Sequence, residues 1–193
     1  MSALIYHTDS IVLDAFDIGE TDRMYVLFTK EFGLVRVFAK SVRAQSSKLK
    51  SHLQLFSYSR VSFVLGRAFP RLIDAEEKHA YSFSEEAFFM AGRMGRFLLR
   101  VIQGEERDMR IWEALLSAFH FLQGTNVGNE HGVPVSIELL FQARMLYYLG
   151  YVDEQEEHIR RLLRADNWNV PFTGNEENIL QTVCSKGIRA SHL

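Results

Sequence analysis

The sequence is poor in cysteine and has no long apolar run. A single cysteine, Cys184, occurs in 193 residues, so the chain alone can form neither a disulfide nor a zinc site with several cysteine ligands. No run of about 18 apolar residues occurs, and the N-terminus has no basic segment followed by an apolar core. These absences predict a cytoplasmic protein without a membrane segment.

Negative charge is missing from one long segment. None of the 24 aspartates and glutamates lies within residues 32–73, although the formal net charge of the chain is -2. Eight of the 22 lysines and arginines do lie there, at Arg36, Lys40, Arg43, Lys48, Lys50, Arg60, Arg67 and Arg71. An acidic partner would therefore meet a local patch rather than bulk charge. We take these eight residues as candidate DNA-binding residues; the alternative is an ordinary solvated charged face.

The segment before residue 80 predicts a small barrel. Period-two alternation places Val35, Val37 and Ala39 on one side of a strand, and Val61, Phe63 and Leu65 on one side of another. Five short strands with a long polar connection between the third and fourth suggest an oligonucleotide/oligosaccharide-binding barrel, or OB barrel. An SH3-like barrel or an open meander is the alternative.

The segment after residue 80 predicts helices. Ser82 and Glu85 form a capping-box pattern, followed by an apolar stripe of Phe88, Ala91, Gly95, Leu98 and Ile102. A second helix follows. A third, opened by Pro134, is apolar on nearly every side and should be central and buried, and two shorter helices come last. We therefore expect an α+β protein with an OB barrel in residues 1–78 and an all-α helical domain in residues 79–193.

Aromatic rings accompany the basic segment. Single-strand binding by OB barrels combines lysine and arginine with rings on which bases stack. The candidate rings are Phe38, Phe56, Tyr58, Phe63 and Phe69. Phe63 shares its side with core residues, whereas Phe38 shares its side with Arg36, and Tyr58 with Arg60. Phe38 and Tyr58 are therefore the preferred stacking candidates.

A second basic cluster lies on the first predicted helix. At 100° per residue, Phe89, Arg93, Arg96 and Arg100 fall opposite the apolar stripe, with Phe97 at their edge. This pattern fits a docking site for an acidic peptide that ends in an apolar residue. The alternative is packing of the rings and internal ion pairing of the arginines. Arg144, on the apolar third helix, is a second candidate, with an internal ion pair to a glutamate as its alternative.

Motifs of catalysis and cofactor binding are missing from the sequence. It has no Gly-x-Ser-x-Gly, no His-Glu-x-x-His, no Walker loop and no dinucleotide fingerprint, and its histidines show no paired metal spacing. We therefore expect a protein that is not an enzyme and that uses no cofactor or metal.

Several motifs resemble the RecO family of bacterial DNA repair proteins. They are "GETD" (19–22), "LFTKEFG" (27–33), "AKSVR" (39–43), "SKLKSHLQLF" (47–56), "GRAFPRLIDAE" (66–76) and "LLFQARMLYYLGY" (139–151). The resemblance implies an OB barrel followed by a helical domain, and a recombination mediator that is not an enzyme. The sequence departs from the family pattern at Ser41, where many relatives have glycine. It also departs after Tyr151, where many relatives have a four-cysteine zinc module.

The resemblance also implies partners. It implies binding of single-stranded DNA, with double-stranded DNA as a second ligand, and annealing of complementary strands. It further implies docking of the acidic C-terminal tail of single-strand DNA-binding protein and, with a RecR-type protein, its replacement by RecA at the nucleoid. From the residues alone, an RNA-binding module and a protein-interaction scaffold remain alternatives.

Overall fold

A computed structural model shows five strands followed by five helices. It describes residues 4–45, 47–102, 104, 107–125, 136–152, 157–164, 167–170 and 173–191. The strands are β1 (Ile5–Ile18), β2 (Asp22–Thr29), β3 (Gly33–Ala39), β4 (Tyr58–Val64) and β5 (Arg71–His79), with a 3₁₀ helix at Leu49–His52. The helices are α1 (Glu85–Val101), α2 (Met109–Gly124), α3 (Ser136–Tyr148), α4 (Glu157–Arg164) and α5 (Gly174–Ala190). The predicted α+β class is confirmed.

The five strands close into a barrel in the order β1-β2-β3-β5-β4. Neighbouring strands are antiparallel except β3 and β5, which are parallel and meet at Phe38 and Arg71. β1 is long enough to pair with both β2 and β4, and a register shift between Val12 and Asp14 allows it to bend between them. This is the OB topology that the sequence predicts, rather than an SH3-like barrel or a meander.

The barrel interior follows the predicted alternation. Val35, Val37 and Ala39 face the core, as do Val61 and Phe63. Leu65 was expected on the same side, but β4 ends at Val64 and Leu65 is 66% exposed. The prediction was wrong for Leu65 because the strand alternation does not continue into the turn.

The outward side of β2 is buried as well. Met24, Val26 and Phe28 alternate with the core residues of β2, and each is at most 4% exposed. The ring of Phe28 lies 6.1 Å from that of Trp112, measured between centroids. A ligand therefore cannot lie on the middle of β2, although the faces of β2 and β3 are common ligand surfaces in OB barrels.

The chain divides into two compact units. The first comprises Met1–Ser82 and Gly104–Trp112, and the second comprises Phe83–Gln103 and Glu113–Leu193. The expected domain boundary between residues 78 and 79 stays a prediction. None of the helices in the described part of the chain combines the length and the apolar character needed to cross a lipid bilayer.

Helix α1 begins two residues later, and its apolar stripe is rotated, relative to the sequence prediction. The side chain of Ser84, not of Ser82, accepts a hydrogen bond from the Ala87 backbone N–H, at 3.2 Å. The buried stripe is Ala87, Met90, Ala91, Met94, Gly95, Phe97, Leu98 and Val101. Phe88 is 42% exposed, so its predicted place in the apolar stripe was wrong, whereas Phe97 is buried, in agreement with the alternative in which this ring packs.

Helix α3 is the centre of the second unit, as predicted. It packs against α1, α4 and α5, and its buried residues are Ile137, Leu140, Phe141, Ala143, Arg144, Met145 and Leu146. Its described part begins at Ser136, and Pro134 lies outside the described residues. α5 packs closely against α3, because a Cβ atom added at Gly187 would lie 3.0 Å from Leu146 Cδ1.

Candidate nucleic-acid interface

The basic residues of the barrel lie on more than one surface. Two of them, Arg36 on β3 and Arg71 on β5, are exposed and point outward on neighbouring strands. Phe38 lies between them because it is the Cα partner of Arg71, and its ring is half-buried. We use the name β3–β5 strip for Arg36, Phe38, Lys40, Arg67 and Arg71.

The strip carries four positive charges. Within the part of the chain that the structure describes, Arg36, Lys40, Arg67 and Arg71 take part in no ion pair. The connection between β4 and β5, residues 65–70, is joined to β3 because the Phe38 backbone N–H donates to the Pro70 carbonyl oxygen at 2.8 Å. This hydrogen bond therefore brings the basic residues of β3 close to those of the loop.

The outer face of β4 has a different electrostatic environment. Arg60 lies between Asp9 of β1 and Glu76 of β5, its Cα partners on the two sides. Sequence alternation correctly grouped Tyr58 with Arg60, but both acids come from outside residues 32–73. A count along the basic segment could not detect them, whereas pairing β4 with its neighbours would have done so.

Tyr58 makes a hydrogen bond and a ring contact within the first unit. Its hydroxyl donates to Asp9 Oδ2 at 3.0 Å, and its ring packs edge-on against Trp112 at 6.1 Å between centroids. Burial, followed by the hydrogen bond to Asp9, raises the pKa of Tyr58 to about 12. Tyr58 is therefore a weaker stacking candidate than its position beside Arg60 suggested.

The connection between β3 and β4 is held at its start. Arg43 Nη1 lies 3.3 Å from Asp17 Oδ2 and 3.4 Å from the Gly19 carbonyl oxygen. The Ser41 backbone has a φ of 53°, and its N–H donates to Asp22 Oδ1 at 2.7 Å. Arg43 is thus partnered by an acid, unlike the arginines of the β3–β5 strip.

Further along the same connection, Lys48 and Lys50 are exposed at the 3₁₀ helix. Neither side chain is in an ion pair among the described residues. They extend the positive surface available to a phosphate backbone.

The turn between β1 and β2 is acidic. Asp17, Glu20 and Asp22 lie in or beside it, and Arg23 and Arg43 bind Asp17 at 2.7 and 3.3 Å. OB barrels commonly bind ligands with this turn and with the β4–β5 loop. Of these two described loops, the β4–β5 loop is the one whose charge suits a phosphate backbone.

The predicted docking cluster of α1 is only partly available. Phe89 is 57% exposed, and Arg96 and Arg100 are exposed on the same side of the helix. Arg93 is partnered, since its Nε donates to Glu138 Oε2 at 2.6 Å and its Nη2 lies 3.4 Å from Met90 Sδ. The remaining surface consists of one ring and two guanidinium groups.

Arg144 has an internal role. It is 2% exposed, and its guanidinium donates to the Leu162 carbonyl oxygen at 3.1 and 2.9 Å and to that of Asn167 at 2.8 Å. It also lies 4.3 Å from the centre of the Trp168 ring. These bonds go to backbone carbonyls, and the internal ion pair with a glutamate that the alternative interpretation expected stays a prediction. A side chain so buried offers no surface to a peptide.

The described residues contain no cluster of three or more histidine, cysteine, aspartate or glutamate side chains that could hold a metal ion. The thiol of Cys184 is buried and lies 3.7 Å from the Leu139 carbonyl oxygen. Burial raises the pKa of this thiol to about 12. Cys184 is therefore an unreactive packing residue in the folded protein.

Comparison with known proteins shows which proteins the chain resembles. Residues 1–81 match the family described as Recombination protein O N terminal. The chain is 29% identical over 175 residues to the DNA repair protein RecO of Dehalococcoides mccartyi, covering 88% of this chain and 67% of the relative. It is 28% identical over 154 residues to that of Thermodesulfovibrio yellowstonii, covering 77% and 59%. The matches thus span about two thirds or less of these relatives, and the chain is similar to DNA repair proteins named RecO, with residues 1–81 matching the model of their N-terminal part.

Proposed function

We propose that this protein is a recombination mediator that binds single-stranded DNA on its β3–β5 strip and anneals complementary strands. The observation that carries the proposal is the set of unmatched positive charges at Arg36, Lys40, Arg67 and Arg71 on one side of an OB barrel. Double-stranded DNA is a second, weaker ligand of the same surface. Arg60 is left out of the proposed surface because Asp9 and Glu76 flank it.

Annealing by such a surface needs no covalent chemistry. Two complementary strands repel each other through their phosphates, and a basic strip that neutralises one strand lowers that repulsion. Release of the counterions around the DNA supplies binding free energy that is independent of base sequence. The protein acts on the DNA without catalysing a reaction, in the cytoplasm at the nucleoid.

We further propose that α1 recruits the protein to coated DNA. Phe89 offers an apolar surface, and Arg96 and Arg100 offer guanidinium groups to carboxylates. This chemistry fits the acidic C-terminal tail of single-strand DNA-binding protein. Together with a RecR-type partner, the protein would then help RecA replace that protein on the strand.

Salt dependence of oligonucleotide binding tests the barrel surface. For four or five phosphate contacts, log affinity for an oligo-dT should fall with log salt at a slope of about -3 to -3.5. Arg36→Ala combined with Arg71→Ala should reduce the steepness of this slope by about 1.4, since each phosphate contributes about 0.7. Arg60→Ala is the matched control, because acids on β1 and β5 are its Cα partners on both sides, and it should leave the slope nearly unchanged.

The ligand class is tested with matched DNA and RNA oligonucleotides in competition. We expect single-stranded DNA to displace a labelled oligo-dT more effectively than RNA of the same sequence or a duplex of the same length. Tighter RNA binding would identify an RNA-binding module. Absence of binding to any of the three would identify a protein-interaction scaffold.

A further inference from the structure

The loop between β4 and β5 exposes an aromatic ring beside basic residues. Phe69 is 46% exposed, Arg67 is exposed two residues before it, and Arg71 begins β5 two residues after it. Within the described residues, the Phe69 ring contacts no other aromatic ring. A large apolar ring that is left so open on a basic surface suits a flat apolar ligand that carries negative charge.

The backbone on both sides of Phe69 is fixed. A Cβ atom added to Gly66 would lie 2.2 Å from the Phe69 carbonyl oxygen and 3.3 Å from its carbonyl carbon, so the turn closes only with glycine at residue 66. On the other side, the Pro70 carbonyl oxygen accepts the hydrogen bond from the Phe38 N–H at 2.8 Å. Phe69 therefore lies on a short, closed turn that a backbone hydrogen bond connects to β3.

Phe69, which adjoins the β3–β5 strip, is more exposed than Phe38, the aromatic residue of the strip. Phe38 is half-buried on β3, whereas Phe69 stands at the loop that ends the strip, between two arginines. Stacking on a base needs an open ring face, and phosphate binding needs a cation within one nucleotide of that ring. Phe69 meets both conditions.

We infer that Phe69 is the principal base-stacking residue of the barrel, held in place by Gly66, and that it makes the surface prefer unpaired bases over duplex DNA. The bases of a duplex are already stacked on one another, so the ring gains nothing from them. The inference rests on the proposed DNA-binding function, and it adds the group that distinguishes single strands from duplexes.

The test compares Phe69→Ala with wild type in the full chain, using labelled oligo-dT and a duplex of equal length. We expect Phe69→Ala to weaken oligo-dT binding about 5- to 150-fold, as for the loss of one stacked base. The salt slope should not change, because no charge is lost. Duplex affinity should change less than twofold.

Phe16→Ala is the matched control. Phe16 is 47% exposed, nearly the same as Phe69, but it lies on β1 beside the acidic turn. Its removal should leave oligo-dT affinity unchanged. Phe69→Trp should keep the affinity and give indole fluorescence that is quenched when oligo-dT binds, whereas Phe16→Trp should show no quenching.

Three outcomes separate the inference from the function on which it rests. If wild type binds oligo-dT with the expected salt slope but Phe69→Ala binds equally well, the inference fails and the proposed function stands. If Phe69→Ala weakens single-strand and duplex binding equally, the ring does not act by stacking, and the inference again fails. If wild type binds no oligonucleotide, the proposed function fails and the inference with it.

Discussion

Ser41 adopts a backbone conformation that favours glycine. Its φ of 53° lies in the left-handed region, which costs an ordinary L-residue roughly 1–2 kcal/mol. The hydrogen bond from its N–H to Asp22 Oδ1 helps to hold this conformation. The left-handed φ is the physical reason why glycine would suit this position.

Ser41→Gly should therefore stabilise the barrel. Relief of the left-handed strain, less the added entropy of glycine in the unfolded chain, leaves a gain of about 0.5–1 kcal/mol in the free energy of unfolding. Urea unfolding followed by circular dichroism measures it. Ser51→Gly is the control, since the backbone of Ser51 is not left-handed, and it should give no gain. Equal effects of both changes would contradict the strain argument.

Arg144 shows why a buried charge is hard to interpret from sequence. The apolar pattern of α3 placed it inside the second unit, and in the structure it donates to backbone carbonyls at the end of α4 and beyond, about 20 residues away. Carbonyl groups carry no sequence signal, so only the fold could identify them. The apolar sequence around Arg144 predicts that this arginine needs a partner, but it does not identify the partner.

Arg144→Lys should destabilise the second unit although it keeps the charge. A lysine ammonium cannot bind both carbonyls in the geometry of the guanidinium fork, nor stack as well on Trp168. A buried carbonyl left without its donor costs about 1–3 kcal/mol. Urea unfolding should show this loss, with Lys186→Met on the exposed side of α5 as a neutral control. An Arg144→Lys variant as stable as wild type would rule out the fork.

At the scale of elements, the strands were predicted more accurately than the phase of α1. In β3 and β4 every second residue is buried and most of these residues are apolar, so the sequence indicated which side of each strand faces the core. In α1, Phe88 and Phe89 are adjacent, and serines occur at both 82 and 84, so two starts and two apolar stripes fit the sequence almost equally. Packing of Met90, Met94 and Phe97 decided the phase.

The candidate site was predicted in part for a related reason. Alternation assigned Arg36 and Phe38 to one side of β3, and Tyr58 and Arg60 to one side of β4. It could not assign the neighbours across the sheet, and these neighbours decide whether a charge is balanced. Register, which brings Asp9 and Glu76 to Arg60, is a property of the folded sheet.

Helix α3 supplies a test of packing in the second unit. Leu146 is 0% exposed, and Gly187 of α5 approaches it closely. Leu146→Ala should lower the free energy of unfolding by about 2–5 kcal/mol through lost burial and a residual cavity. Leu149→Ala, near the end of the same segment and half-buried, should cost clearly less. A loss below about 0.5 kcal/mol at Leu146 would contradict the central position of α3.

At the scale of the whole molecule, positive charge is concentrated in one segment, although the chain as a whole is slightly negative. The chain has a formal net charge of -2, yet residues 32–73 contain no acid. A slightly acidic net charge disfavours indiscriminate binding to polyanions, while the proposed basic strip would attract a single strand over a short range. Recruitment through a separate helical surface would raise the local concentration of the strand.

Binding of DNA and docking of an acidic tail should be separable by mutation. Arg96→Ala with Arg100→Ala should abolish binding of an acidic peptide that ends in an apolar residue, because each lost charge-assisted contact costs about 1.5–3 kcal/mol. Oligo-dT binding and annealing of bare strands should persist, while annealing of strands coated with single-strand DNA-binding protein should fail.

Lys186→Ala with Arg189→Ala removes the same charge from exposed positions of α5 and serves as the control. Peptide titration by fluorescence anisotropy distinguishes the two double variants. A parallel loss of peptide and oligo-dT binding would show that Arg96 and Arg100 belong to the DNA surface instead.

The parallel contact between β3 and β5 also gives the barrel a seam. Among the described residues, the antiparallel strand pairs are registered over seven or more residues, whereas β3 and β5 are registered only at Phe38 and Arg71. The barrel should therefore open first along this line, and amide hydrogen exchange at Phe38 should be its earliest sign. A strand of DNA bound across Arg36 and Arg71 would connect β3 to β5 and should therefore slow the opening of the barrel along this line.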